Sequence, residues 1–206
     1  MPRPCTVSLD ESRGAFLEEL DRFHDAIRTL DDHALLGPSR AYGWSRLDCL
    51  VHVRMGLQEL LAGIPARATT PPDTDAASYW TMWETTADAD PVPGILMTRR
   101  TASAYSRPRH ALEHLDQVIA GLQRAVRDMP DSAVAFQGHV LSAGDLLATW
   151  AVELLVHHYD LNTSAAKTPF ASAAVAIGRR TVEALHDNLP KVNDDLSLVL
   201  VGFGRQ

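Results

Sequence analysis

Glu153 and His157 stand four residues apart in the stretch Trp150-Ala151-Val152-Glu153-Leu154-Leu155-Val156-His157-His158-Tyr159-Asp160-Leu161. In a helix that spacing sets an oxygen donor and a nitrogen donor one turn apart on the same face. The direction of that face decides what they can do. At about 100° per residue, the large apolar side chains Leu146, Leu147, Trp150, Leu154 and Leu161 gather within an arc of roughly 100°. Glu153 and His157 fall at or inside the edge of that arc, so both point toward the core. A core-facing carboxylate is costly unless a cation compensates it. The compensator is either a buried basic side chain, such as Arg54, or a metal ion. His157 favours the metal, because glutamate oxygen and histidine nitrogen together are typical zinc ligands. Asp160 lies near the same face and is spaced to orient a ligand histidine.

Metal sites that do chemistry usually carry three protein ligands and an open position. His110 and His114 also have ligand spacing, but His110 lies roughly opposite the stripe of Leu115, Ile119 and Val126, which predicts a solvated face. His52 sits near the polar edge of a segment that is apolar around much of its circumference, beside Asp48 and Glu59. Periodicity does not select it as a ligand, and an interfacial histidine with satisfied hydrogen bonds fits equally well. Cys5 and Cys49 form no C-x-x-C pair, and Cys49, near a helix start, reads as a small core residue. The residues alone therefore yield two ligands and leave the third open.

Helices must position these groups. Ser8 with Glu11 has capping-box spacing and predicts a helix carrying Phe16, Leu20, Phe23, Ile27 and Leu30 on one stripe, the region ending at Gly37-Pro38. Ser45 with Asp48 opens a second helix that runs to Gly63 and Pro65. From Thr69 to about Pro93 the chain turns rich in Pro, Thr, Asp and Ala. This reads as a long loop with a short helix around Ala77 to Trp83. Tyr79, Trp80 and Trp83 make that loop the candidate wall of a substrate or cofactor pocket. A third helical region spans about Gly94 to Met129, broken near Pro108. Ala133 to Val140 alternates like a strand and reads as a loop or a short edge. Ser142 with Asp145 opens a fourth helix to about Leu161, and a fifth spans about Phe170 to Leu189. The fold class is all-α, an up-and-down four-helix bundle with added short helices, in one domain over 1–206. Bundles of this kind build metal sites between facing helices, and a homodimer suits them.

Composition sets bounds on partners. The 206 residues are 46% hydrophobic and 22% charged, ordinary for a globular domain. The 26 acidic residues against 19 basic ones leave a net charge of −7, which argues against nucleic acid or an anionic membrane as partner. No window approaches the roughly 18 apolar residues of a membrane span, and no apolar stretch follows the N-terminus, so a cytoplasmic location is expected.

The stretch Gly43-Trp44-Ser45-Arg46-Leu47-Asp48-Cys49-Leu50-Val51-His52 resembles the G-W-[ST]-x-x-D-L-x-x-H segment of the DinB-like superfamily. It is most similar to the metal-binding N-terminal domain family of mycothiol-dependent maleylpyruvate isomerase. Glu153 to Leu161 resembles that family's E-L-x-x-H-x-x-D-L segment, and Leu198 to Arg205 looks like the closing strand of its short members. The resemblance implies a divalent metal held by His52, Glu153 and His157, which supplies the missing ligand. It also implies a low-molecular-weight thiol, mycothiol, as cosubstrate for S-transfer to a small electrophile or for its cis-trans isomerisation. A bundle that keeps the metal for a structural, sensing or interaction role is the other reading. The isomerase carries a further C-terminal domain with no counterpart in these residues, which points away from maleylpyruvate as substrate.

Overall fold

The structure, a computed structural model, describes residues 2–84, 90–161 and 168–205. In chain order its elements are α1 (Leu9–Arg28), α2 (Asp32–Leu36), α3 (Arg46–Gly63), α4 (Ser78–Glu84), α5 (Val92–Ser103), α6 (Pro108–Arg127), β1 (Ala133–Phe136), β2 (His139–Ser142), α7 (Ala143–Asp160), α8 (Ser172–Leu185) and α9 (Asp195–Gly202). The result is a mostly helical bundle with one short hairpin, as the patterning predicts.

Serine caps set three of the helix starts. The Ser45 hydroxyl accepts from the Asp48 amide at 3.0 Å and the Asp48 carboxylate accepts from the Ser45 amide at 2.9 Å, a reciprocal capping box. Before α1 and α7 only the serine half forms. Glu11 instead pairs with Arg180, and Asp145 accepts from the Val7 amide at 2.8 Å, which ties the N-terminal segment to α7. Pro108 opens α6 and accounts for the break expected there.

α7 is the axis of the molecule. It packs most extensively on α1 and also against α8 and α3. Every residue of α7 is buried except Glu153 and Tyr159. Phe16, Leu20, Phe23 and Ile27 of α1 are fully buried, and burying each such side chain is worth about 1.5–3 kcal/mol.

Ala133 to Val140, expected as a loop or a short edge, is not a loop but a pair of short strands: β1 and β2 pair antiparallel across a two-residue turn, with Gln137 at φ 49° and Gly138 at φ 84°. Both residues occupy the left-handed region that such turns require, and the usual Asn-Gly signal is missing because glutamine takes the first position. The chain end is not a closing strand either. Asp194 accepts from the Ser197 amide at 2.9 Å and starts α9, which packs on α8 with Val199 against Gly178. A cap and an available helical surface override the strand-like run of apolar residues. No helix among the described residues is long and apolar enough to cross a membrane.

Candidate metal centre

Two helices bring the site together. The capping box at Ser45 fixes the start of α3 and so the rotation of His52 two turns later. α7 presents Glu153 and His157 one turn apart toward it. His52 Nε2 lies 3.2 Å and His157 Nε2 3.1 Å from the same Glu153 oxygen, Oε1. One ligand atom from each residue lies within 4.8 Å of the others, the sole such cluster of three among the described residues. Trp44, just before the α3 cap, covers both histidines: its ring centroid is 4.8 Å from that of His52 and 6.1 Å from that of His157.

Behind His157 the contacts leave little freedom. Its Nδ1 faces Asp160 Oδ2 at 3.0 Å. Asp160 is fully buried and takes a two-pronged contact from Arg205, at 3.0 Å from Nε and 2.7 Å from Nη2. Such paired guanidinium–carboxylate contacts are strong and directional. Cys49 Sγ sits 3.8 Å from His157 Nδ1, and burial pushes its thiol pKa up, so it is a packed neighbour and not a nucleophile.

Burial resists ionisation of Glu153, but the charge and hydrogen bond of His157, then those of His52, hold its carboxyl well below the usual range. Burial also resists charging His157, but Glu153 and the Asp160 contact raise its pKa well above the ordinary imidazole value. Asp160 is desolvated too, and His157 and Arg205 together keep it ionised.

These residues fit a divalent metal. Both ring nitrogens of His157 face carboxylate oxygens. With Asp160 facing Nδ1 and Glu153 facing Nε2, metal-free His157 satisfies both as an imidazolium, and a divalent ion can replace its Nε2 proton while Asp160 keeps the Nδ1 proton. Ligands bound at about 2.0–2.1 Å stand about 3.3 Å apart at tetrahedral corners, close to the separations of each histidine from Glu153. Arg54 is not the compensator: its Nη1 donates to Gln58 at 2.7 Å. His110 and His114 of α6 engage Ser106 and Tyr105 just before that helix and join no ligand cluster among the described residues.

The centre opens on a cavity of about 480 Å³. His52 and Glu153 form one end, Val53, Met55, Trp80, Met97 and Trp150 the walls, and Glu59, Tyr79 and Gln137 another part of the lining. Gly56 on α3 makes room for the indole of Trp150, since a Cβ there would fall 2.5 Å from its ring. Trp80, from the loop expected to wall a pocket, lines this cavity. The Trp83 side chain lies outside those described. Sequence reading missed Arg205, whose partner is 45 positions away, and assigned Trp150 wholly to the core.

Two histidines and a glutamate converge at the end of a largely apolar cavity, an arrangement that could hold a metal ion between facing helices of a bundle. The mycothiol maleylpyruvate isomerase N-terminal domain family matches residues 16–162, and the chain belongs to that family. Two solved structures share its DinB-like fold. One is of the mycothiol-dependent maleylpyruvate isomerase, at 16% identity and TM-score 0.58. The other is of a histidine-to-alanine mutant of that enzyme, at 15% identity and TM-score 0.59. Each alignment covers 85% of this chain and 70% of the other. No curated protein sequence matches significantly.

Proposed function

We propose that this chain is a zinc-dependent, mycothiol-using enzyme of its family, acting in the cytoplasm on a small electrophile as an S-transferase or cis-trans isomerase. The observation that carries the reading is the convergence of His52 Nε2 and His157 Nε2 on Glu153 Oε1 at the end of a cavity. Two free, buried cysteines suit a reducing compartment. The chain functions as one domain over 1–206.

His52, Glu153 and His157 would hold the ion, which when bound lowers the pKa of a thiol and favours the nucleophilic thiolate. Asp160 holds the Nδ1 proton of His157 and so presents Nε2 to the site, and Arg205 holds Asp160 in place. Trp44 shields the histidines, while Trp80, Trp150, Met55 and Met97 keep water from the reacting carbon. The thiolate adds to a conjugated double bond, a C–S bond forms, and the π pair moves onto the neighbouring carbonyl oxygen. In transfer, a proton then quenches the adduct and it leaves. In isomerisation, rotation about the new single bond precedes loss of the thiolate and return of the double bond.

The test is mycothiol consumption with an electrophilic bimane or enone, and cis-to-trans conversion of a cis-enone in the presence of mycothiol, each with zinc-loaded protein. Turnover is expected with zinc and lost in His157→Ala. Equal rates from metal-stripped protein, or none with any electrophile while zinc is bound, would overturn the reading in favour of a non-catalytic bundle.

A further inference from the structure

The cavity beside the centre has a chemical character of its own. Its walls are thioether and indole, from Met55, Met97, Trp80 and Trp150, and no lysine or arginine lines it among the described residues. Glu153 belongs to the metal centre. With a divalent ion and a bound thiolate that end carries no net charge, which leaves Glu59 as the cavity's formal charge. Glu59 is also held in place: Tyr79 donates to Gln137 Oε1 at 2.7 Å, and Gln137 Nε2 donates to Glu59 Oε2 at 3.1 Å. The turn residue Gln137, at φ 49°, anchors this chain of bonds by its side chain. The indole donors of Trp80 and Trp150 are themselves buried within the walls, so what the two rings offer the cavity is apolar surface.

We infer that the cavity selects an uncharged, largely apolar electrophile, such as an aryl enone, and rejects carboxylate substrates. The inference rests on the proposed thiol chemistry for the word electrophile; the selection itself does not. A carboxylate entering here leaves water for thioether and indole walls, meets no lysine or arginine among the described lining and faces Glu59, so it loses solvation without replacement. A neutral ketone leaves water at little cost, and its aryl body packs against the thioether and indole walls.

Two unreactive ligands of one skeleton test this: a naphthylethyl methyl ketone and the corresponding naphthylpropanoate. Each is titrated by calorimetry into metal-stripped protein, and into zinc-loaded protein with excess 2-mercaptoethanol. The ketone is expected to bind at least tenfold more tightly than the carboxylate in both forms. Glu59→Gln, an exposed change that keeps an acceptor for Gln137, is expected to raise carboxylate affinity severalfold and leave the ketone unchanged. Equal or tighter carboxylate binding overturns the inference, as does failure of both ligands to bind. Because no thiol turnover is read, absence of mycothiol activity together with the expected ketone preference would remove the proposed reaction and keep the selection.

Discussion

His157 and His158 are adjacent on α7, and each faces a glutamate, yet the two pairs have opposite character. His158 Nδ1 meets Glu19 Oε1 at 2.7 Å, and the other oxygen of Glu19 accepts from the Ala171 amide at 2.7 Å. Glu19 is fully buried, His158 is 5% exposed, and Phe23 and Phe170 flank its ring. That pair is closed. It links α1, α7 and the segment before α8, with both carboxylate oxygens satisfied. At Glu153 two histidine nitrogens crowd one oxygen, Oε2 has no described partner, and the side chain remains 25% exposed on a cavity wall. The comparison teaches that a buried His–Glu pair is structural when its valences are filled from within. A site is marked by a surplus of donor atoms facing an opening.

The largest expected effects separate the two pairs. Glu19→Ala leaves His158 and the Ala171 amide without their buried partner and is expected to cost about 3–5 kcal/mol in urea unfolding, while folded protein still gains stability from zinc. His157→Ala is expected to do the reverse, with the zinc-dependent gain abolished. If both variants lost zinc stabilisation equally, the distinction would collapse.

Arg205→Ala comes next. Removing the groups that hold Asp160 is expected to weaken zinc binding about 10- to 100-fold, measured by competition with a chelator, and Arg205→Lys is expected to recover part of it. Unchanged affinity would show that Asp160 needs no support from α9.

A pH series sharpens the comparison further. In metal-free protein the depressed pKa values of Glu153 and Asp160 give stability that is present above about pH 4 and lost as pH falls through them. The raised pKa of His157 gives stability that is full below about pH 6.5 and lost as pH rises through its folded value. Metal-free protein is therefore expected to be most stable between these limits and to weaken toward alkaline pH. The gain from zinc should grow over the same alkaline range, as protons cease to compete for the ligands. Thermal melts with and without zinc read both trends, and a gain that shrinks with rising pH would contradict the assignment.

The smallest effect lies at the edge of the site. Ser45→Ala removes half of the capping box and is expected to cost about 1 kcal/mol, with a smaller loss of zinc affinity as the first turn of α3 frays.

The sequence made much of this legible where the signal is local. Caps at Ser8, Ser45 and Ser142 mark helix starts because an orphan amide is satisfied three residues away. Phe16, Leu20, Phe23 and Ile27 mark a buried stripe because burial on one side imposes helical period. Glu153 was visible as a carboxylate set against apolar neighbours, though α7 is buried on nearly all sides and the narrow arc inferred for its core face understates that. His52 could not be chosen by period, since α3 is apolar around most of its surface. What defines it is the helix opposite. Arg205 was invisible for the same reason, because its role exists only once α9 docks. The strand expected at the chain end failed where a local preference met a cap at Asp194 and a helical partner in α8.

Metal analysis of freshly purified protein tests the centre most directly, with His157→Ala and His158→Asn prepared alongside. About one zinc per chain is expected in the unmodified protein and in folded His158→Asn, and background levels in His157→Ala. Full metal content in His157→Ala, or none in unmodified protein supplied with zinc, would contradict the account.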